Sequence, residues 1–86
     1  MSVRTEIAEQ MLSGVLAEIG VELRSAVQKH ASLNSAHEAY AVIAEELDEF
    51  WEQVKLKREH RNHFEMRREL IQTAAMCARA IIDLGL

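Results

Sequence analysis

The sequence predicts an all-α protein: a three-helix chain whose bundle is completed by homo-oligomerisation. Three observations carry that expectation. Across 86 residues there is no proline and only three glycines, Gly14, Gly20 and Gly85, so few residues oppose helix propagation. Apolar residues recur at helical intervals through three segments. The breaks between those segments are polar, and one of them ends in a capping signal.

The first helix is expected over Val3 to Lys29, where Ile7, Met11, Val15, Ile19, Leu23 and Val27 repeat every fourth residue. Leu12, Leu16 and Ala26 widen that stripe into an apolar face. Gly14 and Gly20 each cost up to about 1 kcal/mol inside a helix, so a kink or a close helix contact is expected there. A polar break, His30 to Asn34, follows. Ser35 with Glu38 three residues on forms a capping box, opening a second helix from Ala36 to about Lys57. Ala36, Ala39, Tyr40, Ile43, Leu47, Phe50 and Val54 share one face of it, and Glu46 lies at that face's margin. Arg58 to Phe64 forms a connector, and the third helix runs from Glu65 to about Leu84. Its main apolar face is Met66, Leu70, Thr73, Ala74, Cys77, Ile81 and Leu84, while Ile71, Ala75, Ala78 and Ile82 make a second. Only Arg68, Gln72, Arg79 and Asp83 form a clearly polar wedge. A helix apolar on two sides needs two neighbours, and another subunit is the expected source of the second, in a dimer or tetramer.

Composition narrows the function classes. With 49% hydrophobic and 28% charged residues, the chain reads as one globular domain spanning residues 1–86. A chain of this length buries about 60% of its unfolded surface, a marginal core without a partner. The one cysteine, Cys77, excludes an intramolecular disulfide and a four-cysteine zinc site. Its apolar setting predicts a buried, unreactive thiol. No apolar run reaches about 18 residues and no signal-peptide pattern opens the chain, so a soluble, cytoplasmic protein with no membrane partner is expected. A net charge of -4 disfavours general nucleic-acid binding, although six of the ten Lys and Arg residues fall between Lys55 and Arg68.

Two acidic patches carry the chemical information. Glu45, Glu46, Asp48, Glu49 and Glu52 crowd the second helix, and Glu69 opens a second patch that ends in Gln72. Asp48 and Glu52 read as solvated surface. Glu46 and Glu49 are three residues apart, so their carboxylates converge on one helix face. Glu69 and Gln72 repeat the spacing on the next helix, and an antiparallel hairpin would bring the pairs together. Carboxylates packed at a helix seam repel one another unless a cation neutralises them, and a hard ion such as Mg²⁺ suits an all-oxygen donor set. No Glu-x-x-His occurs, which argues against a di-iron bundle. With no glycine-rich phosphate loop, P-loop chemistry is disfavoured. His60 and His63 read as solvated histidines beside a loop, His37 as part of the second helix's first turn, and Tyr40 and Trp51 as packing residues.

From Ser35 to Leu84 the chain resembles the MazG-like all-α nucleoside triphosphate pyrophosphohydrolases. Their pattern is E-E-x-x-E on one helix and E-x-x-D on the next. Glu45, Glu46 and Glu49 match the first half; Glu69 matches the second, with Gln72 in the aspartate's place. The resemblance implies cleavage of a (d)NTP to (d)NMP and pyrophosphate, with Mg²⁺, or Mn²⁺ in its stead, as cofactor. It implies Glu46, Glu49 and Glu69 as metal ligands, with Gln72 offering an uncharged amide oxygen. Glu45, Glu46 and Glu49 would be the catalytic set. Lys55, Arg58 and Arg68 are the cations expected at the substrate phosphates, although cations at the end of the second helix also suit its dipole. The alternative is a non-catalytic helical oligomer that serves as a nucleotide-binding or protein-interaction module.

Overall fold

The computed structural model describes residues 2–86. Among them are three α-helices and no strand: α1 (Val3–Lys29), α2 (Ala36–Val54) and α3 (His63–Leu84), with a 3-10 turn, Arg58–His60, in the second connector. The expected fold class is therefore observed. Each helix starts at a polar cap. Ser2 Oγ accepts from the Thr5 amide, Ser35 Oγ accepts from Glu38 N–H at 3.1 Å, and Asn62 Oδ1 accepts from Glu65 N–H at 3.0 Å. At the far end Gly85 adopts φ 67°, and the amides of Leu86 and Gly85 donate to the carbonyls of Ile81 and Ile82 at 3.0 and 3.3 Å. That is a Schellman ending, which requires a residue at ease with left-handed backbone.

Two boundaries differ from expectation, and both lie in the second connector. The second helix stops at Val54 rather than Lys57 because the Arg61 guanidinium folds back, donating to Val54 O at 2.8 Å and Leu56 O at 3.2 Å. The third helix starts at His63, two residues early, because Asn62 caps it and in turn donates its amide to Gln53 Oε1 at 2.9 Å. His63 is thus the first helical residue rather than part of a loop. The expected close helix contact at Gly14 and Gly20 is not found. α1 is continuous through both; a methyl group at Gly14 would meet nothing within 4 Å, and one at Gly20 only the Arg24 side chain.

α3 is the central element, with α2 along one side and α1 along the other. Much of the second apolar side of α3 is therefore met within the chain. Ala75 is wholly buried, and Ala26, Ala39 and Ala80 are nearly so. Small side chains at these crossings let the backbones approach, but no large side chain is fully buried. α2 is rolled so that Ala39, Val42, Ile43, Glu46 and Phe50 turn inward. Tyr40, Leu47 and Trp51 consequently face outward, at 75%, 51% and 54% exposure, and do not pack in the core. Cys77 is exposed as well, not buried as expected, because α1 and α2 cover other sides of α3.

The polar wedge of α3 is also reassigned. Arg79 and Asp83 are buried against the α1–α2 loop, with Arg79 Nε 3.3 Å from Asp83 Oδ2. Arg79 donates to Ala31 O at 2.8 Å, and Leu33 N–H donates to Asp83 Oδ2 at 3.0 Å. This clamp fixes the reversal that sets α2 beside α3. Leu33 is drawn into a small core with Ala39 and Ala80, against which Val42, Ile43 and Leu84 pack. No helix among the described residues is long and apolar enough to cross a membrane.

Candidate metal centre

Glu46 sits on the inward stripe of α2, and Glu49 follows one turn later at its edge. Across the seam, α3 presents Glu69, which is only 8% exposed. Each of the three offers a carboxylate oxygen, and those oxygens lie within 4.8 Å of one another. Among the described residues this is the one group of three or more His, Cys, Asp or Glu side chains so arranged. The i, i+3 spacing on α2 and the antiparallel pairing with α3 together produce the convergence.

The electrostatics are those of an under-compensated anionic site. Glu46 Oε2 and Glu69 Oε2 are both buried with no hydrogen-bond partner. A buried acceptor left unmatched is costly, and a buried charge more so. Burial, followed by the charges of Glu49 and Glu45, raises the Glu46 carboxyl above its ordinary value of 4.5. Burial, then a hydrogen bond and charge repulsion from Glu49, pushes Glu69 up to about 7. A proton held on Glu69 thus offsets part of the repulsion. A cation among the three would offset more of it, and the donor set fits one. It is all carboxylate oxygen, carries excess negative charge, and has two buried oxygens aimed at no donor.

The other expected site residues fall into two groups. Gln72 is half-buried one turn beyond Glu69 and lines, with Glu46, an open crook of about 540 Å³ between α1, α2 and α3. Glu45 is exposed beside Glu46 and helps raise that group's pKa. Arg68 stands close enough to Glu69 for its charge to oppose the upward shift, and it lines a groove of about 350 Å³ together with Gln72. Lys55 instead pairs with Glu52 at 2.8 Å, and Arg58 lies in the exposed 3-10 turn. Neither lines the crook or the groove. Lys29 and His30 at the end of α1 do border the crook. Sequence reasoning missed them, because only the chain reversal after α1 brings them near Glu46, more than a dozen positions away.

Fold and site together define an all-α, three-helix chain with a three-glutamate cluster able to hold a metal ion. No protein-family model, curated protein or solved structure matches the chain.

Proposed function

We propose that the chain is a Mg²⁺-dependent, MazG-like nucleoside triphosphate pyrophosphohydrolase. The observation that carries this reading is the pair of buried, partnerless oxygens on Glu46 and Glu69, whose carboxylates converge with that of Glu49 to within 4.8 Å. Glu46, Glu49 and Glu69 would hold Mg²⁺ or Mn²⁺, with Gln72 as a neutral donor at the edge. The bound ion would neutralise the phosphate oxygens of the substrate. Arg68 supplies a cation beside the cluster for the outer phosphates. Glu45, exposed next to Glu46, orients the attacking water and takes its proton. Water adds to the α-phosphorus, the bond from that phosphorus to the bridging oxygen breaks, and a monophosphate and pyrophosphate leave.

A second reading has its own support. Gln72 stands where the family pattern has a carboxylate, so the cluster carries one charge fewer than that pattern. This favours a non-catalytic descendant that binds nucleotide or protein partners. Turnover separates the two. With Mg²⁺ present, at least one of the common ribo- and deoxyribonucleoside triphosphates should release pyrophosphate, and Glu49→Gln should lower the rate at least about 100-fold, the scale expected when a group that stabilises developing charge is lost. No pyrophosphate from any of them would remove the enzyme reading and leave the binding module.

A further inference from the structure

The open crook between the three helices holds two polar groups that the metal centre does not use. Arg79 lies on its wall and is only 6% exposed. Its guanidinium is incompletely matched. Nε faces Asp83 Oδ2 and Nη2 donates to Ala31 O, but Nη1 meets only the Met76 thioether, at 3.8 Å. A thioether sulfur is a weak acceptor, so a buried, charged N–H is left short of a partner. Glu22 of α1 is the other group. It is half-buried, lines the same crook, and makes no hydrogen bond or ion pair with any described residue. Glu38 also borders the crook, but its carboxylate already accepts from Asn34 Nδ2 at 3.3 Å.

The crook adjoins the metal centre, because Glu46 and Gln72 are part of its wall. At about 540 Å³ it is in the size range of small-molecule sites. Ala26, Val42 and Met76 give it apolar surface suited to a flat ring. A polyphosphate is a poor occupant. Glu22, Glu38 and Glu46 oppose Arg79 and Lys29 there, and a phosphate chain offers Glu22 no hydrogen to accept. A heteroaromatic ring with a donor and an acceptor on one edge matches both groups. Its acceptor takes the Arg79 Nη1 hydrogen, and its donor gives to Glu22.

Resting on the nucleotide reading of the adjoining metal centre, we propose that the crook seats the nucleobase and selects one with an exocyclic amine beside a ring acceptor, cytosine over uracil. Cytosine gives its N4 amine to Glu22, and a carboxylate is the natural acceptor for that amine. Its N3 or O2 accepts from Arg79 Nη1. Uracil carries a carbonyl in place of the amine, so its O4 meets the Glu22 carboxylate lone pair to lone pair. Glu22 then stays unmatched. A site whose own polar group is left unpaired rejects a ligand far more strongly than one that merely loses a methylene contact. Adenine shares the amine-and-acceptor edge of cytosine. α1, which supplies nothing to the three-glutamate cluster, thereby gains the residue that determines base preference.

Calorimetry in Mg²⁺ tests it without turnover, using the α,β-methylene analogues of CTP and UTP in ribo and deoxy forms, which cannot be cleaved between those phosphates. The cytosine analogue should bind at least about tenfold tighter than the uracil analogue of the same sugar. Glu22→Gln, made where the side chain has no partner within the chain, should bring the two within about threefold, chiefly by weakening the cytosine analogue. The same variant should bind Mn²⁺ alone as the parent does. Equal affinity of the parent chain for both analogues, or a preference untouched by Glu22→Gln, would overturn the inference and leave the pyrophosphohydrolase reading standing. Lost Mn²⁺ affinity in Glu22→Gln would put that carboxylate at the ion instead and overturn it as well. Binding of neither analogue by a chain that binds Mn²⁺ would remove the nucleotide reading and the base preference together.

Discussion

At pH 8 and free of divalent cations, Glu69→Gln is expected to unfold at a higher temperature than the parent chain. The parent carboxyl titrates near 7 in the folded state against an ordinary value of 4.5. Between those values the folded chain keeps a proton that the unfolded chain has lost, so raising the pH opposes folding. The favourable contribution is complete below pH 4.5, declines from there, and is lost as the pH rises through 7. Glu46, raised in the same direction by burial and by its acidic neighbours, adds to the trend. Above pH 7 the parent thus carries a repulsive, buried cluster worth on the order of 1–2 kcal/mol. An amide at position 69 removes the charge and supplies donors. A gain of roughly 5–10 °C follows for a domain of this size. Added Mg²⁺ should reverse the order, stabilising the parent at pH 8 and leaving the variant unchanged. A Glu69→Gln melting curve identical to the parent's with and without Mg²⁺ would mean that Glu69 does not carry the repulsion.

Asp83→Ala should destabilise the chain by about 3 kcal/mol or more. The substitution leaves the Arg79 guanidinium buried without a counter-charge and removes the acceptor of the Leu33 amide. Against a total stability of about 4–13 kcal/mol for 86 residues, that is a large share, and a fall of at least about 12 °C in Tm follows at fixed protein concentration. The double variant Arg79→Met/Asp83→Leu should recover much of the loss, since an apolar pair leaves no buried charge. If Asp83→Ala melts within 2 °C of the parent, the clamp does not hold the reversal.

Much of this was legible in the sequence because it is written locally. The Ser35 cap, the helix signalled by the four-residue apolar repeat of α1 and the spacing of Glu46 and Glu49 depend on near neighbours only, and all are found, although the Glu38 carboxylate accepts from the Asn34 side chain instead of closing a capping box on the Ser35 amide. The bringing of Glu69 to that pair followed from one further step, an antiparallel α2–α3 hairpin. What was not legible depends on contacts between distant residues. Arg79 and Asp83 look like a solvated wedge until the α1–α2 loop arrives to use them. The roll of α2, which turns Glu46 inward and Tyr40 outward, is set by alanine crossings on α3 rather than by the total hydrophobicity of either face. The end of α2 is fixed by Arg61, whose reach back to Val54 has no sequence signature. Lys29 and His30 reach the crook only through the chain reversal.

Glu46, Glu49 and Glu69 are proposed to form a divalent-cation site. Calorimetric titration of the metal-free chain with Mn²⁺ and with Mg²⁺ at pH 8 tests it most directly, with Glu46→Gln and Gln72→Asp alongside. The expected result is saturable binding at one class of site per chain, abolished by Glu46→Gln and tightened at least about tenfold by Gln72→Asp, equivalent to about 1.4 kcal/mol from the added charge. No saturable binding of either ion at millimolar concentration, or binding indifferent to Glu46→Gln, would contradict it.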